Sequence, residues 1–110
     1  MPVLAICQDS DNAEQLRKTH LIAHRSYLAK IKAMICVAGP TQQLSHSIES
    51  HTNDSACLIY DTDDIDIAHK LFKHDPYAIA GVYSHVAFSR FNATVGHWLK
   101  VDALNKKSHS

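Results

Sequence analysis

The sequence predicts an α+β domain with the element order β-α-β-β-α-β. Three observations carry that expectation. Short apolar runs with polar or Gly/Pro stops recur at residues 2–8, 34–38 and 55–61, each about a strand long. Residues 12–33 contain neither Pro nor Gly. They place Leu16, His20, His24, Tyr27, Leu28 and Ile31 at three- and four-residue steps, the period of an amphipathic helix. Residues 82–91 alternate Val82, Ser84, Val86 and Phe88 with Tyr83, His85, Ala87 and Ser89, the period of a strand. Together with a second, shorter helix before residue 75, this order is the ferredoxin-like arrangement, an antiparallel sheet with its helices on one face.

Each element follows from its own residues. Strand one ends at Gln8-Asp9-Ser10-Asp11, where Ser10 or Asp11 is placed to cap the first helix. Arg17, Lys18, Arg25, Lys30 and Lys32 fall mostly off that helix's apolar stripe. Strand two is expected to stop at Gly39-Pro40. Residues 41–54 are polar apart from Leu44 and Ile48 and read as a long loop, of the length that often forms a lid. After strand three, Asp61-Thr62-Asp63-Asp64 supplies an N-cap and negative charge for a helix marked by Ile65, Ala68, Leu71 and Phe72. Lys70, Lys73 and His74 suit its C-terminal end, and Asp75-Pro76 breaks it. Residues 76–81 read as a small-residue connection into strand four. The tail carries an apolar patch of Val95, Trp98, Leu99, Val101 and Leu104 before a polar end.

Composition limits the function classes. The chain has 110 residues, 45% of them apolar, enough for one domain with one core. Lys+Arg 11 balances Asp+Glu 11, so neither nucleic acid nor an anionic membrane is the expected partner. No run approaches the roughly 18 apolar residues of a membrane span, and no secretory signal is visible. Cys7, Cys36 and Cys57 each sit in an apolar run without any C-x-x-C spacing. They are expected to be reduced core thiols in a cytoplasmic protein. Two helices cover only one face of a four-stranded sheet, so a second copy is the expected cover and the chain a homodimer.

Nine histidines are the unusual feature. His20 and His24 lie one helical turn apart and could ligate a metal with a third partner, but no Glu lies between them as a metalloprotease would need. His46 with His51 and His69 with His74 repeat a similar spacing in polar surroundings, as surface positions do. His97 and His109 read as surface or tail, and His85, like His20, as core or pocket rim. His24 lies on the apolar stripe beside Tyr27 and Leu28. It is either a core histidine bonded to backbone or a general base oriented by a carboxylate. Asp75, in His74-Asp75-Pro76-Tyr77, is the best-placed carboxylate, or else an ordinary turn residue. No G-x-S-x-G elbow is present, and Gly39, Gly81 and Gly96 are isolated, so neither a nucleophile elbow nor a phosphate loop is implied; no cofactor or metal is expected, with zinc on His20 and His24 the minor alternative.

His24-Arg25-Ser26-Tyr27-Leu28, then Ala38-Gly39-Pro40, then Asp75-Pro76-Tyr77-x-x-Ala80-Gly81-Val82 closely resemble the YCII-related (YciI-like) family of small bacterial proteins. Gln8-Asp9, Arg17, Ser55, Val86 and Phe91 extend the resemblance, which leaves a core of about residues 3–92 and a C-terminal extension of 93–110 in one domain, 1–110. The resemblance implies a ferredoxin-like fold that dimerises through its sheets, and a proposed site pairing the first-helix histidine with the aspartate of Asp-Pro-Tyr. Those positions are His24 and Asp75. Relatives include dehydrochlorinases of chlorinated hydroquinone-type compounds, and muconolactone isomerases share the fold. Leu21-Ile22 stand where the family often has Arg-Pro, Arg25 replaces a Leu, and Asp54 replaces a Gly.

The expectation is a dimeric enzyme of lyase or isomerase type, with a His24–Asp75 acid/base pair acting on a small cyclic or phenolic molecule. Tyr77, Ser55, Tyr83 and Ser84 are expected to line the pocket. The alternative is a non-catalytic small-molecule binding or interaction module on the same fold.

Overall fold

In a computed structural model of the chain, which describes residues 1–44 and 54–98, the elements run in the expected order with one addition. Strand β1 is Val3–Asp9 and helix α1 is Ala13–Lys30, followed by a 3-10 turn at Lys32–Met34. Strand β2 is Ile35–Thr41, β3 is Ser55–Tyr60, helix α2 is Ile65–Lys73, helix α3 is Pro76–Ala80, and β4 is Tyr83–Arg90. All pairings are antiparallel, in the order β2-β3-β1-β4, which is the ferredoxin-like sheet.

Alternation in the central strands decides which side packs. Val3, Ala5 and Cys7 of β1 and Ala56, Leu58 and Tyr60 of β3 are buried on the helical side. Ala68 and Phe72 of α2 close on them, with Leu28 of α1 and Val86 and Phe88 of β4 at the margin. Phe72 meets Phe88 edge-on, ring centroids 5.6 Å apart. Tyr27 on α1 donates to the Leu71 carbonyl at 2.7 Å and so fixes α1 against α2. A second small cluster, Ala13, Tyr77 and Val82, joins α1 to α3 and β4. Among the described residues no helix lies over the opposite sheet face, and Ile6 and Val37 are exposed there.

Several expectations are corrected. Residues 76–81 contain a helix rather than a plain connection. Asp75 caps it, Pro76 supplies a first residue with no N–H to satisfy, and Gly81 ends it at φ 85°, a left-handed value. Strand β2 runs through Gly39 and Pro40 instead of stopping there. It is an edge strand, where a missing N–H costs no ladder bond. Neither Ser10 nor Asp11 caps α1. Asn12 occupies that position without a side-chain bond, and the Ser10 hydroxyl donates to the Gly81 carbonyl at 2.8 Å. Of the three free thiols only Cys7 is buried, because Cys36 sits in the β2 bulge and Cys57 points to the uncovered sheet face. His85, register partner of Gln8, is exposed on that face too. Most of the 41–54 loop, including His46 and His51, and the tail from Leu99, including His109, lie outside the described residues. Val95 and Trp98 of the tail patch are exposed.

Candidate active site

A cavity lies between helix α1 and the sheet. The α1 residues Arg17, Lys18, Leu21, His24, Arg25 and Leu28 fall on one face by helical spacing. Below them Ala38 and Pro40 of β2 and Ala56 and Leu58 of β3 complete the lining of this cavity of about 390 Å³. Tyr77 and Tyr83 close one side. The volume is near the lower end of the ~300–1,000 Å³ of ligand sites, fit for a single-ring molecule.

His24 forms part of that wall. Its Nδ1 lies 2.7 Å from Asp75 Oδ1. A carboxylate only accepts, so Nδ1 carries the proton and donates, and Nε2 is left with its lone pair. The imidazole is 14% exposed and the carboxylate 1%. The same Oδ1 accepts the Tyr77 backbone N–H at 2.9 Å. Asp75 Oδ2 is buried with no partner among the described residues. The Tyr77 ring lies flat on the imidazole, centroids 3.7 Å apart and planes within 4°. Its hydroxyl donates to the Arg17 carbonyl at 3.2 Å. Three consecutive residues, Asp75, Pro76 and Tyr77, thus fix both the edge and the plane of the imidazole.

Arg17 holds the end of the cavity nearest the start of α1. Its guanidinium grips the Asp9 carboxylate with two nitrogens, one at 2.8 Å, and reaches the Ser55 carbonyl at 3.3 Å. It also lies 5.9 Å from the centre of the Tyr83 ring.

Burial raises the Tyr77 phenol above its usual pKa against the opposing charges of Arg17 and Arg25, with Asp75 adding to the rise. Burial likewise raises Tyr83, assisted by Cys7 and Asp75 and opposed by Arg17. Both phenols are therefore hydrogen-bond donors at neutral pH, not bases. The Cys7 thiol is pushed up to about 12, first by burial, then by Cys57, Asp75 and Asp9, so it is no nucleophile.

The structure therefore brings His24, Asp75, Tyr77 and Tyr83 together. Ser55 and Ser84 do not line this cavity. The Ser55 side chain turns to the other sheet face, where its hydroxyl meets those of Thr41 and the Asp54 carboxylate, and only its carbonyl reaches Arg17. The Ser84 hydroxyl donates to the Asp9 carbonyl at 3.1 Å. A strand's two-residue alternation sends each away from its cavity-lining neighbour, Ala56 or Tyr83. Lys18 and Leu21 were not expected in the lining. Their spacing from His24 and Arg25 on α1 was the available signal. Among the described residues no three His, Cys, Asp or Glu side chains gather as a metal site would require. No helix among them is long and apolar enough to cross a membrane.

The sequence matches the YCII-related domain over residues 1–92. The chain belongs to the YCII-related family. Among solved structures, this YCII-related fold is similar to the 5-chloro-2-hydroxyhydroquinone dehydrochlorinase (TftG) from Burkholderia phenoliruptrix AC1100, in complex with 2,5-dihydroxybenzoquinone. The identity is 26%, the TM-score 0.73, and the alignment covers 86% of this chain and 96% of that one. No curated protein matches the sequence.

Proposed function

We propose that this YCII-related protein is an enzyme that moves a proton on a small cyclic or phenolic molecule, in a lyase- or isomerase-type reaction. The observation that carries the proposal is the 2.7 Å bond between His24 Nδ1 and the buried Asp75 carboxylate on the wall of a cavity. With Nδ1 donating to Asp75, Nε2 takes a proton from an O–H or C–H of the substrate. The adjacent carboxylate stabilises the imidazolium so formed, and the Tyr77 face adds a cation–π contribution. In an isomerisation the imidazolium returns that proton to another substrate atom. In an elimination the substrate's electron pair forms a new π bond, and the leaving anion takes the electrons of the bond that breaks. The similarity to a dehydrochlorinase supports the second form.

The apolar open face of the sheet supports a homodimer, and three free thiols suit a cytoplasmic setting.

The test is turnover of a panel of chlorinated hydroxyhydroquinones, phenols and lactones, read as chloride release or absorbance change. Replacing His24 with Ala should remove turnover and, by leaving the buried Asp75 carboxylate without its partner, cost about 1–3 kcal/mol while the chain stays folded. If H24A unfolds the chain, the imidazole is a core group. If the panel binds but nothing turns over, the fold serves here as a binding module.

A further inference from the structure

We propose that the molecule held in this cavity is a planar ring bearing one delocalised oxyanion, a carboxylate or an acidic enolate, and that Arg25 is the residue that selects it. This rests on the proposed role of the cavity as the substrate site and adds the charge of what enters.

The lining carries three fixed cations, Arg17, Lys18 and Arg25, and no carboxylate. Two of them have partners. Arg17 is held by Asp9, and Lys18 lies 3.9 Å from Glu14 on the solvent side of α1. Among the described residues no carboxylate pairs with Arg25. The Asp75 charge, adjacent to the wall, is engaged by His24 and the Tyr77 amide. The cavity therefore offers an unmatched guanidinium at its rim, and its field reaches inward as far as the Tyr77 phenol. Arg25 follows His24 directly on α1, and both line the same cavity.

The rest of the wall fixes the shape of the guest. Leu21, Leu28, Ala38, Pro40, Ala56 and Leu58 give an apolar floor that takes ring carbons but cannot satisfy an oxyanion. An anionic oxygen is therefore stable only toward the cationic rim. A guanidinium binds two oxygens of one delocalised anion through parallel N–H donors, which favours carboxylates and acidic enolates over an isolated hydroxyl. That contact turns the rest of the ring under α1, toward His24.

The experiment measures binding, so it stands apart from turnover. Benzoate and benzamide, alike in shape and different in charge, are titrated into the full-length protein and followed by NMR or calorimetry. Benzoate should bind at least about tenfold more tightly than benzamide, with the preference shrinking as salt is raised. R25Q should erase the preference, and R25K should restore part of it. Arg25 is exposed, so neither substitution should lower the melting temperature. H24N should abolish turnover yet keep the preference for benzoate. Equal affinity for the two ligands, no saturable benzoate binding, or a preference that survives R25Q overturns the proposal. So does a preference lost in H24N but not in R25Q, since the anion would then be held by the imidazole. If Arg25-dependent benzoate binding is found in a protein that turns over no substrate, this proposal stands and the catalytic one fails.

Discussion

At Asp75 a single oxygen accepts both from the imidazole of His24 and from the first turn of α3. Asn at this position still accepts both bonds but carries no charge. D75N should therefore leave stability within about 1 kcal/mol of the parent, since Asn caps as well as Asp. Its turnover should fall by about 10²–10⁴-fold, the contribution of oriented acid–base catalysis. D75A removes the cap as well and should lower stability by about 2 kcal/mol in urea unfolding. Equal turnover in D75N and the parent would show the carboxylate to be structural. Cys7 gives a separate prediction in alkali. Its folded-state pKa, about 12, lies above the ordinary thiol value of 9.0. Its stabilising contribution is complete below pH 9, because the thiol is then protonated whether the chain is folded or not. Above pH 9 only the unfolded chain releases the proton, and the contribution is lost progressively toward pH 12. The slope from this one group is up to about 1.4 kcal/mol per pH unit. Denaturant midpoints measured from pH 8 to 11 should fall along that window, and less steeply in C7A.

Helix α3 shows where a sequence can and cannot be read. The Asp-Pro pair was legible as the end of α2, because Pro disfavours helix in the residue before it. The same pair also starts a new helix, since Pro fits a first turn, but five residues are too few to show a periodicity. Strand β2 was shortened in the reading for a similar reason. Gly39-Pro40 is a stop signal in isolation, and only the edge position in the sheet makes it acceptable. That His24 and Asp75 meet was anticipated because α1 is long enough to show its stripe and because Asp75, at the end of α2, was the best-placed carboxylate, a pairing the family resemblance also implied. The floor of the cavity was not legible, since Ala38, Ala56 and Leu58 read as ordinary strand residues and Pro40 as a strand stop until the folded chain sets them together with α1 around one cavity. Gly81 offers a test at this scale. A Cβ there would touch nothing within 4 Å, so only the backbone at φ 85° resists it. G81A should cost about 1–2 kcal/mol without altering the cavity, measurable as a lower melting temperature with an unchanged benzoate affinity.

At the scale of the molecule, the described residues leave the sheet with one finished face and one bare face. Val3, Ala5 and Cys7 are buried by helices, while Ile6 is 54% exposed and Val37 43% exposed on the other side. Sedimentation should give a dimer at micromolar concentration. A lysine at Ile6 or Val37 should shift it to a monomer by placing a charge in the middle of the joined sheets. A wild-type monomer would contradict the dimer proposal.

The Asp75-Pro76-Tyr77 tripeptide has one more consequence. It holds the imidazole with a carboxylate and a ring, while Ala38 and Pro40, which also line the cavity, come from β2. The support of the proton-handling imidazole and the β2 part of the lining are thus written in different stretches of chain, and only α1 serves both. A descendant of this protein could exchange its clientele by altering α1 and β2 while its chemistry stayed intact, and a designer could do the same without touching His24.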